Sequence, residues 1–418
     1  MLNGIAVTVR MAATVLLNKM AAAFVGPAGF AMIGQFQNAL TLVTSLGAGA
    51  LSTGVTKYTA EYGDDPAQQR ALWKTAGTLT LLVSITTSVL LAVLRRQISV
   101  ALFGTADLSD IVAWVAGSLT LISLNALLLA ILNGKKETWL FVQANIAGSV
   151  VLMVMSAILI SAWGLRGALI ALSANQAVLL VFTLLVCRRA LWFRVRDLAG
   201  AIDRAVALNL GKFVLMAATS AVVLPIGQMA IRAHIVSNFD LAHAGYWDAV
   251  NRLSGSCLTL ATTTLALYYL PRISEIQKFA EMRSEILHGL RVIVPIAAVA
   301  ALVLFAAREW VVKMLFTSAF LPLTELLPWQ LAGDVVKIAS WLLAYVLIGK
   351  AQAMPYVVTE VAFTATLYLL TVLGTHQFGF DGAAIAYLLN YLLYLATMYV
   401  LVLGPGRRTL FPPAPATK

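Results

Sequence analysis

Charge is what this sequence has least of: 11% of its 418 residues are charged and 61% are hydrophobic, whereas an ordinary soluble domain carries about 25% charged residues. That scarcity excludes a soluble enzyme, a coiled coil and a disordered chain, each of which exposes far more charge to water. Cysteine is almost absent. Cys187 ends one apolar run and Cys257 lies inside another, so no disulfide framework is implied. The histidines His234, His243, His288 and His376 are scattered without ligand spacing, so no metal site is expected. No G-x-x-x-x-G-K-[ST] loop occurs and no nucleotide domain has room to fold, so no cofactor is expected. Acids are scarcer than bases, 18 against 29, for a net charge of +11. Basic loops collect on the cytoplasmic side of any polytopic protein, so this excess is no sign of nucleic acid.

What is present is apolar length. A span needs roughly 20 mostly apolar residues, and twelve segments qualify, at about 4–24, 29–56, 75–94, 110–132, 139–162, 166–187, 208–232, 243–269, 286–306, 325–348, 354–375 and 380–403. The first lacks a basic leader region and a small-residue cleavage site, so it is expected to stay as a span. With both termini on one side, that side collects nineteen Lys and Arg and the other has five, Arg95, Arg96, Arg166, Arg308 and Lys313. The split predicts cytoplasmic termini. The stretch 95–109 reads as an interfacial amphipathic helix. The basic, aromatic stretch 188–207 reads as a surface helix joining two halves, either an ordinary basic loop or a contact for anionic lipid.

The chain also matches itself at an offset of about 215 residues. Trp114 pairs with Trp329, Gly134-Lys135 with Gly349-Lys350, and GLRGALIA at 164–171 with GFDGAAIA at 379–386; Phe24 pairs with Phe239, and Ala28-Gly29-Phe30 with Ala244-Gly245-Tyr246 one residue later. The predicted fold is therefore all-α, about twelve transmembrane helices in two six-helix lobes related as parallel repeats. The lobes are 1–204, with a basic linker at about 188–204, and 205–418, with a short Pro-rich tail. Carriers of that build expose a substrate alternately to each side.

A charge at mid-bilayer costs about 2.5–3.5 kcal/mol on insertion scales, so those present are expected to face water or protein. Arg10 and Lys19 fall in the first span and Lys57 ends the second; Asp248 and Arg252 are spaced i,i+4, Asp334 and Lys337 i,i+3, and Glu360 stands alone in the eleventh span. The two spaced pairs read either as neutralised intrahelical pairs or as site residues. Glu360 reads as a proton or cation site or as a counter-ion. Gln35, Gln37 and Asn38 line the same cavity or bond helix to helix. Bases outnumber acids in the spans, which suits an anion, and the driving force is expected to be an ion gradient or the membrane potential if transport is not passive.

In order along the chain, GPAG at 26–29, GAGALSTGVTKY at 47–58, KFVLMA at 212–217, YLPRIS at 269–274 and WQLAGDVVK at 329–337, followed by Tyr345, Lys350-Ala351 and Glu360-Val361, carry a family likeness. The chain resembles the Wzx-type flippases of the multidrug/oligosaccharidyl-lipid/polysaccharide exporter superfamily, the lipid III flippases of enterobacterial common antigen and the O-antigen translocases. The resemblance implies transfer of an undecaprenyl-diphosphate-linked oligosaccharide from the cytoplasmic to the periplasmic leaflet of the bacterial inner membrane. It singles out Lys57, Asp334 and Lys337. The partners it implies are the lipid-linked glycan, membrane lipids and other glycan-assembly membrane proteins, with no enzymatic activity and no nucleic acid.

The chemistry of such a substrate fits the residues. A diphosphate and hydrated sugars need a basic, wet cavity, while the polyprenyl tail stays in lipid. Arg10, Lys19, Lys57, Arg252 and Lys337 are expected to hold the headgroup, with Asp248, Asp334 and Glu360 limiting its grip or coupling it to an ion. Two alternatives are a drug/cation antiporter of the same superfamily, in which those acids bind protons or sodium, and a membrane glycan polymerase or ligase. Basic excess within the spans disfavours the first, and short outward loops disfavour the second.

Overall fold

In the computed structural model, residues 2–45, 50–63, 65–190, 192–276, 278–350 and 352–404 are described, with side chains described outside 2–12, 212–220 and isolated helix positions. The chain runs through α1 (Leu2–Thr44), α2 (Ala50–Glu61), α3 (Pro66–Val93), α4 (Arg95–Phe103), α5 (Ser109–Gly134), α6 (Thr138–Cys187) and α7 (Arg204–Asn238). It continues through α8 (Leu241–Thr264), α9 (Leu270–Glu275), α10 (Phe279–Ala306), α11 (Arg308–Leu315), α12 (Leu327–Gly349), α13 (Ala353–Phe378) and α14 (Gly382–Val402). No strand occurs among the described residues.

Local chemistry sets the helix ends. Asp65 starts α3 by accepting from the backbone of Ala67 and Gln68, and Pro66 occupies the first turn, where its missing N–H costs nothing. Gly104, at φ 73°, closes α4, which covers most of the stretch expected to be an amphipathic helix.

Seven stretches among the described residues are long and apolar enough to cross a membrane. That number is below the twelve spans expected because Ala13–Thr44, Trp139–Cys187 and Met354–Val402 each hold two of the expected spans, with non-helical glycines inside at Gly26, Gly164 and Gly379, and because α7 runs over residues whose side chains are not described and α8 carries charge. The surface confirms the solvent: Ile296, Val299, Leu302 and Val303 of α10 are each at least 60% exposed, which suits hydrocarbon and not water. The protein is a multi-pass membrane protein.

Contacts divide the chain into two compact units, Met1–Met229 and Ala230–Lys418. In the first, α1 and α5 pack on α6, while α2 and α3 pack on α5 around Leu51, Val55, Leu72, Trp73 and Ile131. In the second, α12 is central, touching α8, α9, α10, α13 and α14, and its Leu342, Leu343 and Leu347 meet Tyr269, Ile273, Ile286 and Met398.

The internal repeat is written in the backbone. Gly164 (φ 54°, ψ −125°) and Gly379 (φ 63°, ψ −147°) adopt nearly the same conformation, one that a side chain disfavours. Three residues on, a Cβ on Gly167 would lie 1.8 Å from the Leu159 carbonyl oxygen, and one on Gly382 would lie 2.0 Å from that of Gly374. Residues eight apart touch only if the chain doubles back, so each pair of helices forms a tight hairpin. Gly148 against Leu179 confirms that the arms of α6 run antiparallel. Gly134 meets Thr59, and Gly349 meets Ser274, again at the repeat spacing.

The expected surface helix at 188–207 is not formed. After α6 the chain makes one 3-10 turn, Val195–Leu198, with extended residues on both sides. The cause is α3, which offers better partners than a helix could: Thr78 Oγ1 bonds both the carbonyl (2.9 Å) and the N–H (3.0 Å) of Gly200, and the Asp203 N–H donates to Thr75 Oγ1 (3.0 Å). Gly77 admits the Leu198 carbonyl, and Lys74 faces Asp197 at 3.7 Å. The strap ends where Asp203 caps α7 by accepting from Ala205 and Val206.

Candidate functional site

The hairpin of α7 and α8 turns at Asp240, whose carboxylate accepts from the His243 backbone N–H at 2.8 Å. Arg232 and Asp248 are equally far from that turn, about 12 Å along each helix at 1.5 Å per residue, so antiparallel helices bring them to one depth. Arg232 Nε donates to Asp248 Oδ2 at 2.9 Å and Nη2 to Oδ1 at 2.5 Å. Both side chains are buried, and the guanidinium lies 5.8 Å from the centre of the Trp247 ring. The i,i+4 pairing of Asp248 with Arg252 is therefore not what holds this carboxylate. Arg232, on the neighbouring helix, satisfies both oxygens in the fork geometry that only arginine supplies. Arg252, one turn further along α8, is half-buried.

Asp334 is buried on α12, where its Oδ1 accepts from Ser254 Oγ of α8 (2.6 Å) and Tyr387 Oη of α14 (2.8 Å). Its Oδ2 is buried with no hydrogen-bond partner among the described residues. Lys337, one turn on, makes no ion pair with Asp334. Its Nζ donates to Tyr387 Oη at 3.2 Å, so the phenol stands between them, giving its proton to the carboxylate and accepting from the ammonium. The ammonium lies 5.1 Å, 5.3 Å and 4.7 Å from the ring centres of Trp341, Tyr387 and Tyr391. Those π faces hold the cation without neutralising it. An ammonium has three donors, so two remain for an oxygen ligand, and the side chain is half-buried, not sealed.

The other sequence candidates stand on other helices. Glu360 is half-buried on α13. In the first unit, Lys19 of α1 and Gln35, Gln37 and Asn38 further along α1 are half-buried, and Lys57 is exposed on α2 with its Nζ 5.1 Å from the Tyr58 ring centre. The Arg10 side chain lies outside the described residues.

Sequence reasoning missed Arg232 as a partner, and missed Ser254, Trp341, Tyr387 and Tyr391. Two signals could have found them: the symmetry of 232 and 248 about Asp240, and the stripe Tyr387, Tyr391, Tyr394 at helical spacing. The repeat sharpens the point. At its offset, Asp334 and Lys337 correspond to Leu119 and Ile122, Arg232 to Leu17, Asp248, past the one-residue shift at Ala244, to Met32, and the rings of Trp341 and Tyr387 to Ala126 and Leu172. The backbone is duplicated; this charged cluster belongs to the second unit alone.

Comparison with known proteins places these features in a family. Residues 22–325 match the family described as "Polysaccharide biosynthesis protein". The chain is similar to the lipid III flippase of Escherichia coli (strain K12), 27% identical over 388 residues that cover 93% of each chain. Among solved structures it is similar to an inward-facing multidrug resistance MATE family transporter of the MOP superfamily, with a TM-score of 0.81, 14% identity, and 97% of this chain and 96% of that one covered. It is also similar to the lipid II flippase MurJ, with a TM-score of 0.75, 13% identity, and 96% and 86% covered. The fold is that of these alternating-access transporters.

Proposed function

The chain belongs to the polysaccharide biosynthesis protein family, and from that premise we propose that it is a flippase, carrying an undecaprenyl-diphosphate-linked oligosaccharide from the cytoplasmic to the periplasmic leaflet of the bacterial inner membrane. The observation that carries this reading is the Lys337 ammonium, held in an intramembrane cage of Trp341, Tyr387 and Tyr391 with donors to spare. A cation there without an ion pair is costly unless it has a task, and an anionic diphosphate is the ligand it suits. The lipid III flippase relative supports the substrate class.

In this reading Lys337 and Arg252 grip the headgroup, and Arg10, Lys19 and Lys57 grip it at other stages of transport. Asp334 tempers the grip of Lys337 through Tyr387. Asp334, and Glu360 beside it in role, are the candidates for coupling to an ion gradient; the membrane potential, negative inside, favours outward movement of an anion at about 2.3 kcal/mol per charge per 100 mV. Both termini are cytoplasmic, no bond of the substrate is made or broken, and other glycan-assembly membrane proteins supply and consume the lipid-linked unit.

The test is deletion of the gene followed by mass spectrometry of polyprenyl-linked oligosaccharides on the cytoplasmic leaflet, complemented with Lys337→Gln and Arg252→Gln. Accumulation that the wild type relieves and neither variant relieves, at equal protein levels, is expected. No accumulation on deletion, or normal export by both variants, overturns the reading.

A further inference from the structure

At the end of the first unit where α2, α3 and α5 meet the strap after α6, Gln69, Arg70, Trp73, Lys135, Trp192 and Arg194 line a cavity of about 210 Å³. A cavity of that size admits a lipid headgroup with its waters. Three of these six side chains are cations. Among the described residues none of the three has a carboxylate within ion-pair distance. Asp197, also on the wall, is already faced by Lys74 at 3.7 Å.

The pocket is built, not a chance gathering of surface bases. Gln69 is buried; its amide donates to the Thr59 carbonyl at 2.8 Å, and its Oε1 accepts from Lys135 Nζ at 3.2 Å, fixing the ammonium on a neutral partner. Trp192 packs on Trp73 with ring centres 5.3 Å apart and donates its indole N–H to Glu137 at 3.3 Å. Lys135 Nζ lies 6.0 Å from the Trp192 ring centre. Arg70 spends only Nε, on the Pro66 carbonyl at 3.0 Å, and the exposed Arg194 guanidinium supplies a further set of donors.

Uncompensated cations floored by indoles at the ends of apolar helices are the arrangement that takes a phosphate at the membrane interface, where tryptophan and basic side chains both collect. A soluble anion would find the same charges, but the indoles and the start of the apolar run of α3 place the site where lipid headgroups lie. We propose that this pocket binds the phosphate headgroup of an anionic membrane lipid and so fixes the strap 192–203 against α3. The site shares no residue with the Lys337 cluster and does not depend on the transport reading.

Native mass spectrometry of the purified full chain tests it, with cardiolipin, phosphatidylglycerol and phosphatidylcholine as lipid probes and inorganic pyrophosphate as the soluble one. The wild type is expected to retain the two anionic lipids and release phosphatidylcholine. Retention should weaken roughly fivefold for each cation removed in Arg70→Gln, Lys135→Gln and Arg194→Gln, and persist when Lys278, Arg283 and Arg291 are neutralised instead. The single Arg194→Gln change, at an exposed side chain, keeps the test valid if the triple variant does not fold. Undiminished retention by Arg194→Gln and by the triple variant, equal retention of phosphatidylcholine, or binding of pyrophosphate with no retained lipid would overturn the proposal.

Discussion

Replacing Asp248 with Asn separates a structural role from a transport role for the most deeply held ion pair in the second unit. The two side chains are 5% and 6% exposed and share two short hydrogen bonds. Asn keeps one accepting oxygen but removes the counter-charge, leaving a guanidinium buried against the Trp247 ring 5.8 Å away. Breaking a buried pair from one side costs about 3–5 kcal/mol, a large part of the roughly 5–15 kcal/mol that holds a typical domain. Removing both charges, as Arg232→Met with Asp248→Leu, leaves no orphan and is expected to be close to neutral, because the pair's own desolvation offsets most of its attraction. The assay is the fraction of monodisperse protein after heating in detergent, read by size-exclusion fluorescence, together with export in a deletion strain. Asp248→Asn should lower the midpoint by several degrees, and the double change should recover most of it while export continues. A single variant as stable as wild type would refute the structural assignment. So would a stable double variant that has lost export, which would return Asp248 to the coupling role expected from its place in the sequence.

Tyr387→Phe deletes the hydroxyl that joins Lys337 to Asp334; with a buried carboxylate deprived of a donor at about 1–3 kcal/mol, export should fall about tenfold or more while membrane levels hold, and unchanged export would remove the phenol from the mechanism. Gly164→Ala and Gly379→Ala force a side chain into a left-handed conformation costing about 1–3 kcal/mol; both should lower the thermal midpoint by similar amounts, and a large effect at one with none at the other would contradict the shared geometry. At the turn before α8, the backbone N–H of His243, then its side chain, holds the Asp240 carboxyl below its usual range. A depressed folded-state value means the cap stabilises the fold above the unfolded value of about 3.9 and loses that contribution as pH falls through the folded value. Melting midpoints of the wild type should therefore drop below about pH 4 more steeply than those of Asp240→Asn, and parallel curves would count against the cap.

Much of the fold was legible because the bilayer simplifies the reading: apolar length locates helices, and a repeat offset pairs them. GLRGALIA and GFDGAAIA were matched as letters, and they proved to be the same hairpin, with Gly164 and Gly379 at matching angles and Gly167 and Gly382 at the same close approach. The strap was misread for an opposite reason. Its Arg, Trp and Phe suggested an amphipathic helix, but its conformation is set by bonds to Thr75 and Thr78, more than a hundred residues earlier, and composition carries no record of such partners. The site was half legible. Spacing within one helix suggested Asp248 with Arg252 and Asp334 with Lys337, because i,i+3 and i,i+4 are the contacts a linear reading can see. The structure joins Asp248 to a second helix, and Asp334 to Lys337 through a third.

The contrast between the halves then does more than the charges alone. Selection for a stable hairpin would keep Gly164 and Gly379 alike, and they are alike; a merely structural ion pair could sit in either half at equal cost. Yet Leu17, Met32, Leu119 and Ile122 stand where the second unit has Arg232, Asp248, Asp334 and Lys337. Leu119 is fully buried and Ile122 nearly so, which shows that these positions pack well with hydrocarbon alone. The second unit therefore carries polar groups that its architecture does not require, including a carboxylate oxygen with no hydrogen-bond partner among the described residues and an ammonium held only by rings and one phenol. Groups that cost folding energy and are dispensable to the fold are accounted for by what they bind. In this chain that argument selects Lys337 and Asp334 over Arg232 and Asp248, because the latter two satisfy each other and the former two do not.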